Sequence, residues 1–254
     1  MITIYHRPKT LEQALTLLSR PQPKTVPLGG GTLLSHPQAD AIEVVDLQAL
    51  GLNQIKKSGN NLEIGSTTTL QQLLVNPHCP DPMQVALKLE APLNVRNAAT
   101  VAGTLVVADG RSTFAAMMLA LDAKFNIQPN DQELLIGNLL PLRESQLMGK
   151  LIIGIVIPMI VKLAFEYVSR TPADKPIVCI ALAKWPSGRT RLAVGGYSKT
   201  PMLALDGTES DGLEAAARNA FKEASDEWAS AEYRQDVAAT LANRCLTKLN
   251  LIAN

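Results

Sequence analysis

With 254 residues, 46% of them apolar and 19% charged, the chain is long enough for one large domain or two modest ones, which excludes disordered and disulfide-stapled classes. Lys plus Arg number 24 against 23 acids, so a formal charge of +1 provides no global field for nucleic acid, and 4% aromatic residues leave few stacking platforms. The longest apolar stretch, Leu151 to Val161, is broken by Gly154 and Pro158 and falls short of the roughly 20 residues that cross a bilayer, so no membrane span is expected. No secretory leader is read at the N-terminus, and Cys79, Cys179 and Cys245 are odd in number and far apart, which fits reduced thiols in the cytoplasm. Without a Cys-x-x-Cys pair, neither a zinc site nor an iron–sulfur cluster is expected on this chain.

In chain order, Thr10 with Gln13 forms a capping box for a helix over roughly 10 to 20, stopped by Pro21. A short apolar segment at Thr25 to Leu28, the run Gly29-Gly30-Gly31 and a β-rich stretch from Ile42 to Leu47 give a βαβ-like opening with a glycine turn inside it. Leu62 to Gly65 reads as a strand, Thr68 or Thr69 starts a helix that closes near Asn76-Pro77, and Phe114 to Leu121 reads as a helix buried on most sides. Ile177 to Trp185 and Thr190 to Tyr197, joined by Pro186-Ser187-Gly188, form a hairpin. In the tail, Leu213, Ala217, Phe221, Ala224 and Trp228 fall at helical spacing, and Ser230 caps a last helix with a stripe of Val237, Leu241, Cys245 and Leu249. These stripes are core. A domain boundary is expected near residue 160.

Two segments carry the chemistry. In Pro27-Leu28-Gly29-Gly30-Gly31-Thr32-Leu33-Leu34, three residues without Cβ let backbone amides converge on an anion, and Thr32 adds a hydroxyl; the plain alternative is a flexible turn. The segment is neither Gly-x-Gly-x-x-Gly nor a Walker A loop, so standard nicotinamide and ATP sites are not indicated. Asn94 to Thr104 again combines small residues with threonines, and Arg96 either faces a phosphate or is solvated beside a helix-stop turn. A dinucleotide needs more than one loop, so the two segments are stronger together. The scattered His6, His36 and His78 suggest no ligand set, and no Gly-x-Ser-x-Gly elbow exists.

Five motifs in order then carry a resemblance: Gly-Gly-Thr-x-Leu near residue 30, Ile-Gly-Ser-Thr-Thr-Thr-Leu at 64 to 70, Val-Arg-Asn-Ala-Ala-Thr-Val-Ala-Gly at 95 to 103, Leu-Ala-Leu-Asp-Ala at 119 to 123 and Ser-Ala-Glu-Tyr-Arg at 230 to 234. The chain resembles the FAD-binding medium subunit of molybdenum hydroxylases, the flavoprotein family of xanthine dehydrogenase and aerobic carbon monoxide dehydrogenase. The resemblance implies an α+β fold: a vanillyl-alcohol-oxidase-like, PCMH-type FAD-binding domain of two α/β subdomains over 1–158, and over 160–254 a small C-terminal domain with an antiparallel sheet and a helix bundle. It implies Pro27 to Leu34 as the first pyrophosphate loop, Thr100, Val101, Ala102, Gly103 and Thr104 as the second, and Ile152 against the flavin, with no catalytic side chain and no metal.

The partners it implies are a [2Fe–2S] small subunit and a molybdopterin large subunit, with NAD, a quinone or oxygen as electron acceptor. The chain departs from the family pattern at Ala102 and Thr104 in a stretch that is usually Thr-Ile-Gly-Gly-Asn. It also departs at Thr113 for Asp, Lys150 for Glu, Tyr167 for Lys, and Leu33 for an acidic or polar residue. These departures keep an alternative open, an FAD-free structural or assembly subunit that retains the fold and the partner surface.

Overall fold

The computed structural model describes residues 1–37, 39–208 and 210–251. The first half of the chain runs β1 (Ile2–His6), α1 (Leu11–Leu18), β2 (Thr25–Leu28), β3 (Ile42–Asp46), β4 (Ile55–Ser58), β5 (Asn61–Gly65), α2 (Leu70–Leu74), α3 (Asp81–Glu90), α4 (Leu93–Arg96), α5 (Val101–Val106) and α6 (Thr113–Ala120). It continues with β6 (Lys124–Gln128), β7 (Gln132–Leu135), α7 (Ile136–Leu139), α8 (Arg143–Gln146) and β8 (Leu151–Pro158). The remainder is β9 (Lys162–Val168), β10 (Val178–Lys184), β11 (Thr190–Gly195), β12 (Met202–Gly207), α9 (Leu213–Ala220) and α10 (Ala231–Leu251).

Two compact units emerge. The first comprises Met1–Asn76, Leu93–Val106 and Lys124–Val156. In it β1, β3 and β2 form a parallel three-stranded sheet in that order, and α1 lays Ala14 and Leu18 against Val45, Leu47 and Leu151. The Thr10 hydroxyl accepts the Gln13 amide to start α1, but the Gln13 side chain takes its hydrogen bond from Lys9 N, one residue earlier than a complete capping box requires. Thr69 does make the full box at α2 with Gln72. The unit's other sheet is five-stranded, in the order β4-β5-β8-β6-β7.

The second unit takes Pro77–Pro92, Val107–Ala123 and the chain from Ile157 onward. Its antiparallel sheet has the order β12-β11-β10-β9, with the expected hairpin as β10 and β11. Packed on it are α10 and α9, whose Leu213, Ala217, Leu241, Cys245 and Leu249 join Ile180, Leu182 and Val194 in one core. Helices α3 and α6 also pack against strands of this sheet, so the unit recruits helices from within residues 1–158. Every residue of α6 is buried, as its all-round apolar sequence requires.

One helical expectation fails. The spacing through Phe221, Ala224 and Trp228 suggests one continuous helix, yet α9 stops at Ala220. The segment after it is held as a loop by Arg234, which donates to the carbonyls of Ala224 and Ala229 and to Asp226 Oδ1. Ser230 does cap α10, its Oγ accepting the Tyr233 amide.

Candidate cofactor site

Strand β2 ends at Leu28, and the chain turns through Gly29-Gly30-Gly31 into a helical turn closed by Ser35 N on the Gly31 carbonyl, 2.9 Å, and His36 N on that of Leu33, 3.1 Å. Pro27 and Leu28 are the last ladder residues, paired with Val45 and Asp46 of β3. From Gly29 to Leu34 no backbone N–H donates a hydrogen bond to any described residue. Gly30 and Leu33 are exposed and the other four partly so. A row of amides that neither ladder nor helix consumes, on an accessible turn, is a cradle for an anion.

The second segment lies directly against this turn. A Cβ on Gly30 would stand 1.7 Å from the Ala98 carbonyl oxygen, and one on Gly29 would stand 2.7 Å from Thr100 Oγ1. The glycines are therefore needed to let two backbones touch. A third segment completes the assembly: Thr69 bridges Thr100, Leu70 N bonds the Ala99 carbonyl at 2.9 Å, and Ser66 N bonds the carbonyl of Ile153 in β8 at 3.2 Å.

Thr100 to Thr104, expected as a pyrophosphate loop, lies at a helix start: residues 101 to 104 form the first turn of α5. Their amides are spent. Val101 N bonds the Thr68 carbonyl at 2.8 Å, Ala102 N that of Ser66 at 3.3 Å, Gly103 N the Thr100 hydroxyl at 3.2 Å, and Thr104 N the Thr100 carbonyl at 2.9 Å. The Thr104 hydroxyl donates to the same Thr100 carbonyl at 2.9 Å. Short Ala, Thr and Val stretches carry weak periodicity, so a helix of this length leaves little trace in a sequence. Ala98 and Thr100 of this segment lie directly against Gly30 and Gly29 of the turn.

Ile152 is buried in β8, in register with Ile127 of β6, and its neighbour Ile153 ties this strand to Ser66. Arg96 donates from Nε to Gln71 Oε1 at 3.0 Å. Of the other departures, Thr113 is wholly buried and its hydroxyl is used on the Ala86 carbonyl and on Glu90, Lys150 bonds Gln132, and Tyr167 is exposed beside Phe165.

The sequence places Ser66 and Thr68 in a family motif and offers Thr68 as a helix start, but it does not single out their hydroxyls. The two residues are 2% and 0% exposed, their carbonyls hold the start of α5, and neither hydroxyl has a hydrogen-bond partner among the described residues. The signal available was the Ser-Thr-Thr-Thr run, read as a helix start and as part of a family motif.

An unspent amide turn at the end of a parallel strand, packed against a second backbone segment, is able to receive an anionic group. The comparisons define it further: the chain belongs to the family of FAD-binding domains in molybdopterin dehydrogenases, whose model matches residues 1–160. Over 247 residues it is 28% identical to the uncharacterized protein YgfM of Escherichia coli (strain K12), covering 95% of this chain and 94% of the other. It is 27% identical to the 6-hydroxypseudooxynicotine dehydrogenase complex subunit alpha of Paenarthrobacter nicotinovorans, covering 94% and 91%. Among solved structures, carbon monoxide dehydrogenase from Hydrogenophaga pseudoflava, in a form lacking the Mo-pyranopterin moiety of its molybdenum cofactor, shares the fold with a TM-score of 0.80 at 22% identity over 97% and 96% of the chains. The chain is an oxidoreductase subunit and its cofactor is FAD. No helix among the described residues is long and apolar enough to cross a membrane.

Proposed function

We infer that this chain takes electrons from the [2Fe–2S] clusters of a small partner subunit, filled by a molybdopterin-bearing large subunit, and passes them to an external acceptor such as NAD, a quinone or oxygen. The observation that carries the reading is the unspent row of amides from Gly29 to Leu34, which suits the diphosphate of FAD and has no structural use of its own. The reading draws also on the relatives: one is a subunit of a dehydrogenase complex, and one neighbour in fold comes from an enzyme with a molybdenum cofactor.

Bound FAD supplies the redox chemistry, so this chain's residues bind and orient. Gly29, Gly30, Gly31, Thr32, Leu33 and Leu34 would offer N–H groups to the diphosphate, with the Thr32 hydroxyl beside them. Ala98 and Thr100 to Thr104 would hold that turn in place beside the diphosphate, and Ile152 would lie against the flavin. Buried thiols suit a reducing compartment, and the cytoplasm is the proposed location.

Purification with the natural partners tests this reading. A stoichiometric yellow complex absorbing near roughly 450 nm, where oxidised isoalloxazine absorbs, is expected. A colourless complex that refuses added FAD would overturn it in favour of an FAD-free assembly subunit, the reading to which the spent amides of residues 101 to 104 lend themselves.

A further inference from the structure

Buried hydroxyls in folded proteins almost always find a partner, because leaving one unmet in an apolar interior is costly. Ser66 Oγ and Thr68 Oγ1 break that rule together, two residues apart, in the segment whose carbonyls fasten the first two amides of α5. That segment sits one bond network away from the glycine turn: Thr68 holds Val101, the neighbouring Thr100 bridges Thr69, and Thr100 Oγ1 lies against Gly29. Neither hydroxyl is needed by the fold. Thr69, not Thr68, caps α2, and the bonds that fix α5 come from the Ser66 and Thr68 carbonyls. An alanine and a valine would serve the fold better, unless the hydroxyls are used when the site is loaded.

We propose that Ser66 and Thr68 are positioning residues of the cofactor site, their hydroxyls left unmatched in the free protein and completed when the polar middle of the dinucleotide, its diphosphate and adjoining hydroxyls, draws the braced segments together. The proposal rests on the FAD reading above. It assigns to this segment the polar role that the spent amides of Val101 to Thr104 leave unfilled.

The test uses the full chain, wild type, Ser66→Ala, Thr68→Val and Thr68→Ser. It measures thermal midpoint without flavin and FAD affinity by quenching of flavin fluorescence. Thr68→Val and Ser66→Ala are expected to melt no lower than wild type when flavin-free, yet to bind FAD about tenfold more weakly, the effect of losing one hydrogen bond in a polar site. Thr68→Ser, which keeps the hydroxyl, is expected to bind like wild type. Should the wild type bind FAD and the two hydroxyl-deleted variants bind it equally well, the proposal falls while the flavoprotein reading stands. A lower flavin-free midpoint in both variants would also overturn it, since the hydroxyls would then have structural partners. A wild type without affinity for FAD would remove the reading and the proposal together.

Discussion

Arg234 is wholly buried, and each of its contacts has a structural use. Its Nη2 meets Asp226 Oδ1 at 2.7 Å, Nη1 meets the carbonyls of Ala224 and Ala229, Nε reaches that of Ile177, and the guanidinium stands 5.2 Å from the Tyr197 ring centre. Asp226 in turn accepts the amides of Trp228 and Ala229. Burial alone would raise the Asp226 pKa, but the Arg234 bond and the two amides outweigh it and hold the carboxyl below its ordinary value. Replacing Arg234 by Met strands that carboxylate and frees the loop, for a predicted loss of about 3 to 5 kcal/mol in chemical denaturation. Because the folded pKa is depressed, the stabilisation is present above the ordinary carboxylate range and fades as pH falls through the lowered value. Midpoints of Asp226→Asn should therefore vary less with pH on the acid side than those of wild type. The motif Ser-Ala-Glu-Tyr-Arg was legible as a family mark, whereas Arg234 as the tie of a loop was not, since nothing in a linear pattern says which carbonyls a guanidinium will reach.

Among the elements, α6 shows how a helix can be specified by residues far along the chain. Its eight residues are buried throughout, and its first turn is met by Glu90 at the end of α3, whose Oε2 accepts Phe114 N at 2.9 Å, Ser112 Oγ at 2.9 Å and Thr113 Oγ1 at 3.2 Å. A carboxylate at a helix N-terminus also complements the macrodipole. Glu90→Ala removes the acceptor of Phe114 N and Ser112 Oγ, while Thr113 keeps the Ala86 carbonyl, and should cost about 2 to 3 kcal/mol; Glu90→Gln keeps an acceptor and should cost less, as urea midpoints would register. Equal losses in both variants would argue against the cap. Helices α1, α2 and α6 were readable from side-chain caps and apolar residues; α3 lacks a side-chain cap, and the short α4 and α5 carry weak periodicity. The gap at α5 affects the site, because its first turn spends the amides of residues 101 to 104.

For the chain as a whole, the sequence boundary and the packing boundary differ. The family match ends at residue 160, yet α3 and α6 pack with the sheet that begins at Lys162. Expressed alone, residues 1–160 would leave the wholly apolar, buried α6 without β10 and β11 to pack against. That fragment is predicted to aggregate or to bind a hydrophobic dye, and a soluble monomer with sharp near-UV dichroism would contradict the prediction. The order of motifs and the presence of two α/β layers and a hairpin with helices were all in the sequence. The return of two helices to a later sheet was not, because apolar faces announce that they will be buried and not against what.

That arrangement bears on how the polypeptide is made. A ribosome emits α6 well before it emits β10, and at about 5 to 20 residues per second the delay amounts to several seconds. During that interval the helix has no sheet to cover it, so the nascent chain must be shielded by a chaperone or by transient non-native collapse. Strands β10 and β11, made late, therefore decide whether α6 is covered or stays open to misassociation.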